Sequence, residues 1–223
     1  MEPIRINKYL RDKAVGSRRE TDDLIAQGKV FVNGVKAAPG MLIKEGDKVS
    51  LKKGAQKEYV YRAYFKPKGL PTQGEKGGAS VVTEWKEHGL YPIGRLDKES
   101  EGLLILTNDG RATEKILGGH FEKEYLVETR ENLRAGISAI FAKGMETRAL
   151  GRLRPAQAEI TGKKTMLVTL HEGKHHQIRV MFAELGLTIT ALKRIRIGSV
   201  RLSHLKQGAS RLLTEKERSS FFS

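Results

Sequence analysis

The chain has 223 residues, 39% of them hydrophobic, enough for one large domain or two modest ones with a real core and too many for a disordered segment. It carries 41 Lys and Arg against 26 Asp and Glu, a formal net charge of +15 shared by both ends of the chain, which points to a polyanionic partner and to nucleic acid first. The absence of cysteine excludes a disulfide framework, a thiolate nucleophile and a Cys-ligated zinc site. The opening residues Met1-Glu2-Pro3-Ile4-Arg5-Ile6-Asn7-Lys8 lack the apolar core of a signal peptide, and nowhere do eighteen apolar residues run together. A soluble, cytoplasmic protein with no membrane partner is therefore expected.

In chain order, residues 4–14 place Ile6, Tyr9, Leu10 and Ala14 on a roughly helical stripe that stops at Gly16. Ser17-Arg18-Arg19-Glu20 has capping-box spacing and predicts a second helix ending near Gly28. Asn33-Gly34, set between the β-prone runs Val30-Phe31-Val32 and Val35-Lys36, predicts a hairpin, because both central residues of its turn need positive φ. Residues 46–51 read as a returning strand, and the Lys- and Gly-rich stretch after them reads as a linker over 54–58. This divides the chain into a small domain over 1–53 and a larger one over 59–223.

In the larger part, residues 59–65, 102–107, 123–128 and 164–170 read as strands. Residues 133–141 and 175–185 carry a helical period, the second with Ile178, Met181, Phe182 and Leu185 on one stripe. The connections are mostly too short for regular βαβ units, so the expected fold class is α+β, with a mixed, largely antiparallel sheet flanked by helices. Residues 192–197 alternate cationic and apolar side chains as a half-buried strand does; the charged face reads equally as a phosphate track or as the solvated rim of an edge strand.

The run from Gly94 to Gly110, Gly-Arg-Leu-Asp-Lys-Glu-Ser-Glu-Gly-Leu-Leu-Ile-Leu-Thr-Asn-Asp-Gly, sends a polar loop directly into an apolar strand. It sets carboxylates at Asp97, Glu99 and Glu101 where a rigid element can hold an acid beside a substrate. Spacing alone selects none of the three. His171-Glu172-Gly173-Lys174-His175 fits the zincin pattern, but a strand leads into it and Gly173 sits inside it, so the continuous helix that zinc requires is not expected, nor is a metal. A Walker loop and a Rossmann fingerprint are also absent from the sequence.

Arg5-Ile6-Asn7-Lys8-Tyr9-Leu10, Gly16-Ser17-Arg18-Arg19 and Val30-Phe31-Val32-Asn33-Gly34 resemble an S4 RNA-binding domain. The resemblance implies RNA, with Arg5, Lys8, Arg18, Arg19 and Lys36 as candidate phosphate contacts. The Gly-Arg-Leu-Asp run resembles the central motif of the pseudouridine synthases related to the ribosomal small-subunit enzyme A, which implies that Asp97 is the nucleophile. Lys66-Pro67-Lys68-Gly69 resembles that family's first motif. Glu122-Lys123-Glu124-Tyr125 resembles the segment whose Tyr, here Tyr125, packs on the target base. Glu172-Gly173-Lys174-His175-His176-Gln177-Ile178-Arg179 resembles the motif whose basic residue, here Arg179, pairs with the nucleophile. The segment 208–214 resembles the family's C-terminal stretch.

Two departures, Phe65 before Lys66-Pro67 and Val180 after Arg179, bear on substrate contacts and not on the reaction. Lys66, Arg95, Lys174, His176, Lys193, Arg194 and Arg196 are further candidate RNA contacts. The resemblance implies a cofactor-free isomerase, expected as a monomer, acting on structured RNA. Ribosomal RNA is the expected partner, with large-subunit types F and B resembled somewhat more than the small-subunit enzyme, and transfer RNA remains an alternative substrate. Attack at C6 of the base or at C1′ of the ribose stays open.

Overall fold

A computed structural model describes residues 2–13, 15–54, 58–74, 78–118 and 121–222. Ala14 of the first helical stripe and residues 55–57 of the expected linker lie outside them. The chain forms two compact units, Met1–Val60 with Asn108–Glu114, and Tyr61–Thr107 with Lys115–Ser223.

The first unit contains β1 (Ile4–Arg5), α1 (Ile6–Asp12), α2 (Arg18–Ala26), β2 (Val30–Val32), β3 (Val35–Lys36), β4 (Leu42–Ile43) and β5 (Val49–Leu51). The first helix starts at Ile6, two residues later than its sequence stripe, because Ile4 and Arg5 pair with Ile43 and Leu42. The capping box of α2 is complete: the Ser17 hydroxyl accepts from the Glu20 N–H at 3.4 Å, and the Glu20 carboxylate accepts from the Ser17 N–H at 2.9 Å. At the hairpin, Asn33 and Gly34 have φ of 51° and 82°, both positive as the tight turn demands. Ile6, Leu10, Ile25, Val30, Val32, Ala37 and Ile43 close a core of their own.

The remaining elements are β6 (Tyr61–Lys66), α3 (Val81–Lys86), β7 (Tyr91–Ile93), β8 (Glu101–Thr107), α4 (Gly110–Leu117), β9 (Lys123–Thr129), α5 (Ile137–Ala142), β10 (Glu146–Thr147), β11 (Gly151–Arg152), β12 (Gln157–Gly162), β13 (Thr165–Leu170), α6 (Gln177–Glu184), β14 (Ile189–Ile197), β15 (Val200–Arg201), β16 (Ser210–Leu212) and α7 (Glu215–Ser219). Among the described residues, the main sheet runs β12-β13-β9-β14-β8-β6-β16, with β15 beside β14 and β7 beside β8. Its pairings are antiparallel except β14 with β8. This is the mixed, largely antiparallel sheet that the short connections imply. In β8, residues 102–107 are all buried, which accounts for its unbroken apolar run.

The edge-strand alternative for residues 192–197 is corrected: β14 lies inside the sheet between β9 and β8. Arg194, two residues beyond Leu192, shares its buried side, and a register shift between Arg194 and Arg196 breaks the alternation only after it.

Candidate active site

Asp97 rides on the loop between β7 and β8, and that loop is anchored at several backbone points. Leu96 turns inward and is buried, and both its peptide groups meet the Thr72 hydroxyl. The hydroxyl donates to the Leu96 carbonyl at 2.7 Å and accepts from the Leu96 N–H at 2.9 Å. The Gly69 N–H donates to the Lys98 carbonyl at 2.8 Å, and the Ser100 N–H to the Asp97 carbonyl at 3.1 Å. With its backbone fixed and its neighbour buried, Asp97 keeps a side chain that is 30% exposed, sheltered yet reachable.

Each carboxylate oxygen of Asp97 has a partner near the start of α6. Oδ2 stands 3.9 Å from Arg179 Nε, and Oδ1 stands 3.4 Å from His176 Nε2. Arg179 is held more tightly by the loop than by the carboxylate, since its Nη2 donates to the Glu99 carbonyl at 3.2 Å and to Ser100 Oγ at 3.1 Å. His176 caps α6 with φ of 55°, a left-handed conformation uncommon outside glycine. Its ring stacks on His175 with centroids 3.8 Å apart.

Two cations that the sequence reading put among the RNA contacts are inside the protein. Lys66 ends β6 with no exposed surface, and its Nζ donates to the Pro67 carbonyl at 2.8 Å and the Leu70 carbonyl at 2.6 Å. Burial pulls its pKa down to about 8, against the opposing pull of Asp97, Glu101 and Glu99. Arg194 is 4% exposed; its Nε donates to the Leu103 carbonyl at 2.8 Å and its Nη1 meets the Arg95 carbonyl at 3.5 Å. Neither side chain can reach a phosphate from these positions, and both instead hold the chain flanking the Asp97 loop.

Tyr125 is buried on β9, opposite Arg194 of β14 and Val168 of β13. Register partners share a face, and Arg194 in turn pairs with Gly102 of β8, so Tyr125, Arg194 and Gly102 lie side by side across three strands. Among the other candidates, Lys193 pairs with Glu101 at 2.9 Å, while Arg196 pairs with Glu122 at 2.9 Å and Glu124 at 3.4 Å. Lys174 donates to the Leu150 and Arg152 carbonyls, each at 3.0 Å. Arg95 is exposed, as are Arg5, Lys8, Arg18, Arg19 and Lys36 in the first unit. The zincin geometry is not formed, because His171 and His175 both precede α6 and His171 instead faces Glu122 at 3.7 Å. Sequence reasoning missed Thr72 and Ser100 altogether and did not anticipate His176 beside Asp97; none of these contacts has a local sequence signature.

The two parts of the chain match known families. The family model for RNA pseudouridylate synthase matches residues 60–184, and the S4 domain model matches residues 4–49. The dual-specificity RNA pseudouridine synthase RluF of Escherichia coli is 35% identical over 96% of this chain and 77% of its own length. The ribosomal large subunit pseudouridine synthase B of Bacillus subtilis is 33% identical over 96% of this chain and 93% of its own. The ribosomal small subunit pseudouridine synthase A of Vibrio cholerae is 32% identical over 98% of this chain and all of its own. A crystal structure of a pseudouridylate synthase superposes with a TM-score of 0.71 at 28% identity, covering 98% of this chain and 99% of that one.

The chain belongs to the RNA pseudouridylate synthase family and is an isomerase that carries an N-terminal S4 domain. No helix among the described residues is long and apolar enough to cross a membrane.

Proposed function

We propose that this chain isomerises uridine to pseudouridine at defined positions of ribosomal RNA, in the cytoplasm and as a monomer, with Asp97 as nucleophile and no cofactor. The observation that carries the reading is the pairing of Asp97 with Arg179 on an anchored loop. The reaction breaks the bond between N1 of the base and C1′ of the ribose, turns the uracil, and joins C5 to C1′. The C5 proton is lost to a base and N1 gains one, so no electrons are gained or lost and no redox group is needed. A carboxylate beside a detached base must be held in one orientation with its negative charge balanced, and a guanidinium near one oxygen does both. Arg179 takes that role, and Tyr125 stacks on the uracil. A uridine reaches such a pocket only after leaving its stack, at a cost offset by contacts to the surrounding RNA.

Residues 1–53 bind that RNA and residues 59–223 carry out the chemistry. The exposed Arg5, Lys8, Arg18, Arg19 and Lys36 support the first assignment, as ion pairs to phosphates. The relatives' names support ribosomal RNA, since one specifies the large subunit and another the small; the large subunit is the favoured substrate and transfer RNA the alternative.

The test is release of label from uridine C5 in ribosomal RNA transcripts, comparing the wild-type chain with Asp97→Asn. Release by the wild type and none by the variant is expected. Equal release from both removes Asp97 from the nucleophile's role, and no release on any ribosomal or transfer RNA removes the substrate assignment.

A further inference from the structure

The loop before β8 and the turn before α6 bring three metal-binding side chains together. Asp97, His175 and His176 each present a donor atom, and those atoms all lie within 4.8 Å of one another. The separation of Asp97 Oδ1 from His176 Nε2, 3.4 Å, is long for a charge-assisted hydrogen bond. It does suit shared coordination: bonds of about 2.0–2.1 Å to a tetrahedral zinc ion set neighbouring donors about 3.3 Å apart. The third donor lies within 4.8 Å of the other two; the exposed His175 ring is stacked on His176 at an interplanar angle of 23°, and it must swing out of that stack for both imidazoles to face one ion. The backbone of His176 sits in the left-handed region, a conformation that costs energy in a side-chain-bearing residue and that clusters where a group must be aimed. Here it aims the imidazole at the carboxylate.

We propose that Asp97, His175 and His176 form an inhibitory site for a divalent transition-metal ion, zinc above all. Two imidazoles and one carboxylate suit zinc, nickel or cobalt and are poor ligands for magnesium, which demands oxygen donors. The ion takes the Oδ1 side of Asp97, with water completing the tetrahedron. Arg179 stands on the Oδ2 side, bonded to the Glu99 carbonyl and Ser100. Its positive charge weakens the site relative to a structural zinc site, so binding is reversible. This trio is distinct from the zincin pattern, since His171 is paired with Glu122.

The inhibitory half of the proposal rests on the reading of Asp97 as nucleophile, because a carboxylate that donates through Oδ1 to a divalent cation has less electron density on both oxygens and is a poorer nucleophile. The binding half does not. The experiment therefore measures both on the full-length chain: zinc bound per chain by equilibrium dialysis, the visible absorption of added cobalt(II) as a report of tetrahedral nitrogen and oxygen ligation, and C5-label release with and without zinc. One zinc per chain is expected, with a tetrahedral cobalt spectrum and with turnover that falls as the site fills and returns on chelation. His175→Ala keeps the basal turnover and raises the zinc concentration for half-inhibition at least tenfold, and His176→Ala loses the cobalt spectrum. The proposal is overturned by substoichiometric zinc, by an unchanged cobalt spectrum in both variants, by inhibition that His175→Ala leaves intact, or by full occupancy with undiminished turnover. A wild-type chain with no turnover in the absence of metal fails the substrate assignment instead, and the dialysis and cobalt spectra then still judge the site.

Discussion

The hydroxyl of Thr72 clasps Leu96 at both its peptide groups, donating to the carbonyl at 2.7 Å and accepting from the N–H at 2.9 Å in a buried setting. Leu96 precedes Asp97, so this pair of bonds sets the direction from which the carboxylate leaves the loop. Thr72→Val keeps the shape and strands both peptide groups of Leu96, at about 1–3 kcal/mol for each unmet group. Turnover in the label-release assay falls further than RNA affinity, and Thr72→Ser restores both. A loss confined to RNA affinity would show that Thr72 acts on the RNA and not on the loop.

Arg179 binds the same loop through Glu99 and Ser100. Arg179→Ala lowers turnover by about 10–100-fold, the equivalent of the roughly 1.5–3 kcal/mol of a charged hydrogen bond, with RNA affinity within about twofold. Single-turnover kinetics and filter binding separate the two effects. Affinity falling alone would make Arg179 a phosphate contact.

Lys66 imposes a pH dependence on stability. Its folded pKa of about 8 lies below the ordinary 10.5, so between those values the unfolded chain holds a proton that the folded chain has released. Stability contributed by this group therefore rises as pH climbs through that window. In thermal unfolding, the wild type gains on Lys66→Met between pH 7 and 10. A difference that stays flat or shrinks refutes the assignment.

Gly102 sits at φ 113° on β8, where an added Cβ would collide with the backbone carbonyl of Arg194 on the neighbouring strand. Gly102→Ala must move β8 away from β14 or strain its backbone. A loss of about 3 kcal/mol or more in denaturant unfolding is expected, at the upper end for a one-methyl change.

Arg18 and Arg19 are exposed on the first turn of α2, whose cap is built from Ser17 and Glu20 and does not depend on them. Replacing both with Ala leaves the helix intact, weakens RNA binding and flattens the salt dependence. The slope of log affinity against log salt falls by about 1.5–2 for two lost phosphate contacts. An unchanged slope would remove them from the interface.

The sequence by itself determined what depends on near neighbours. The capping box of α2, the Asn33-Gly34 turn and the buried run of β8 are governed by residues a few positions apart, and each formed where its pattern lay. The order of motifs around Asp97 and Arg179 was legible as well, because family motifs are contiguous strings.

Tertiary structure decided which charges stay in water and which side chains surround the carboxylate. Lys66 and Arg194 read as surface cations in sequence. Sheet pairing then carried both inside, where backbone carbonyls take the place of solvent. Thr72 meets Leu96 across 24 residues and Arg179 meets Glu99 across 80, while Asp97 finds His176 only because the turn before α6 folds back onto the β7–β8 loop. Such contacts leave no periodicity or spacing to read, because they are fixed by strand register and by the twist of a sheet built from distant segments.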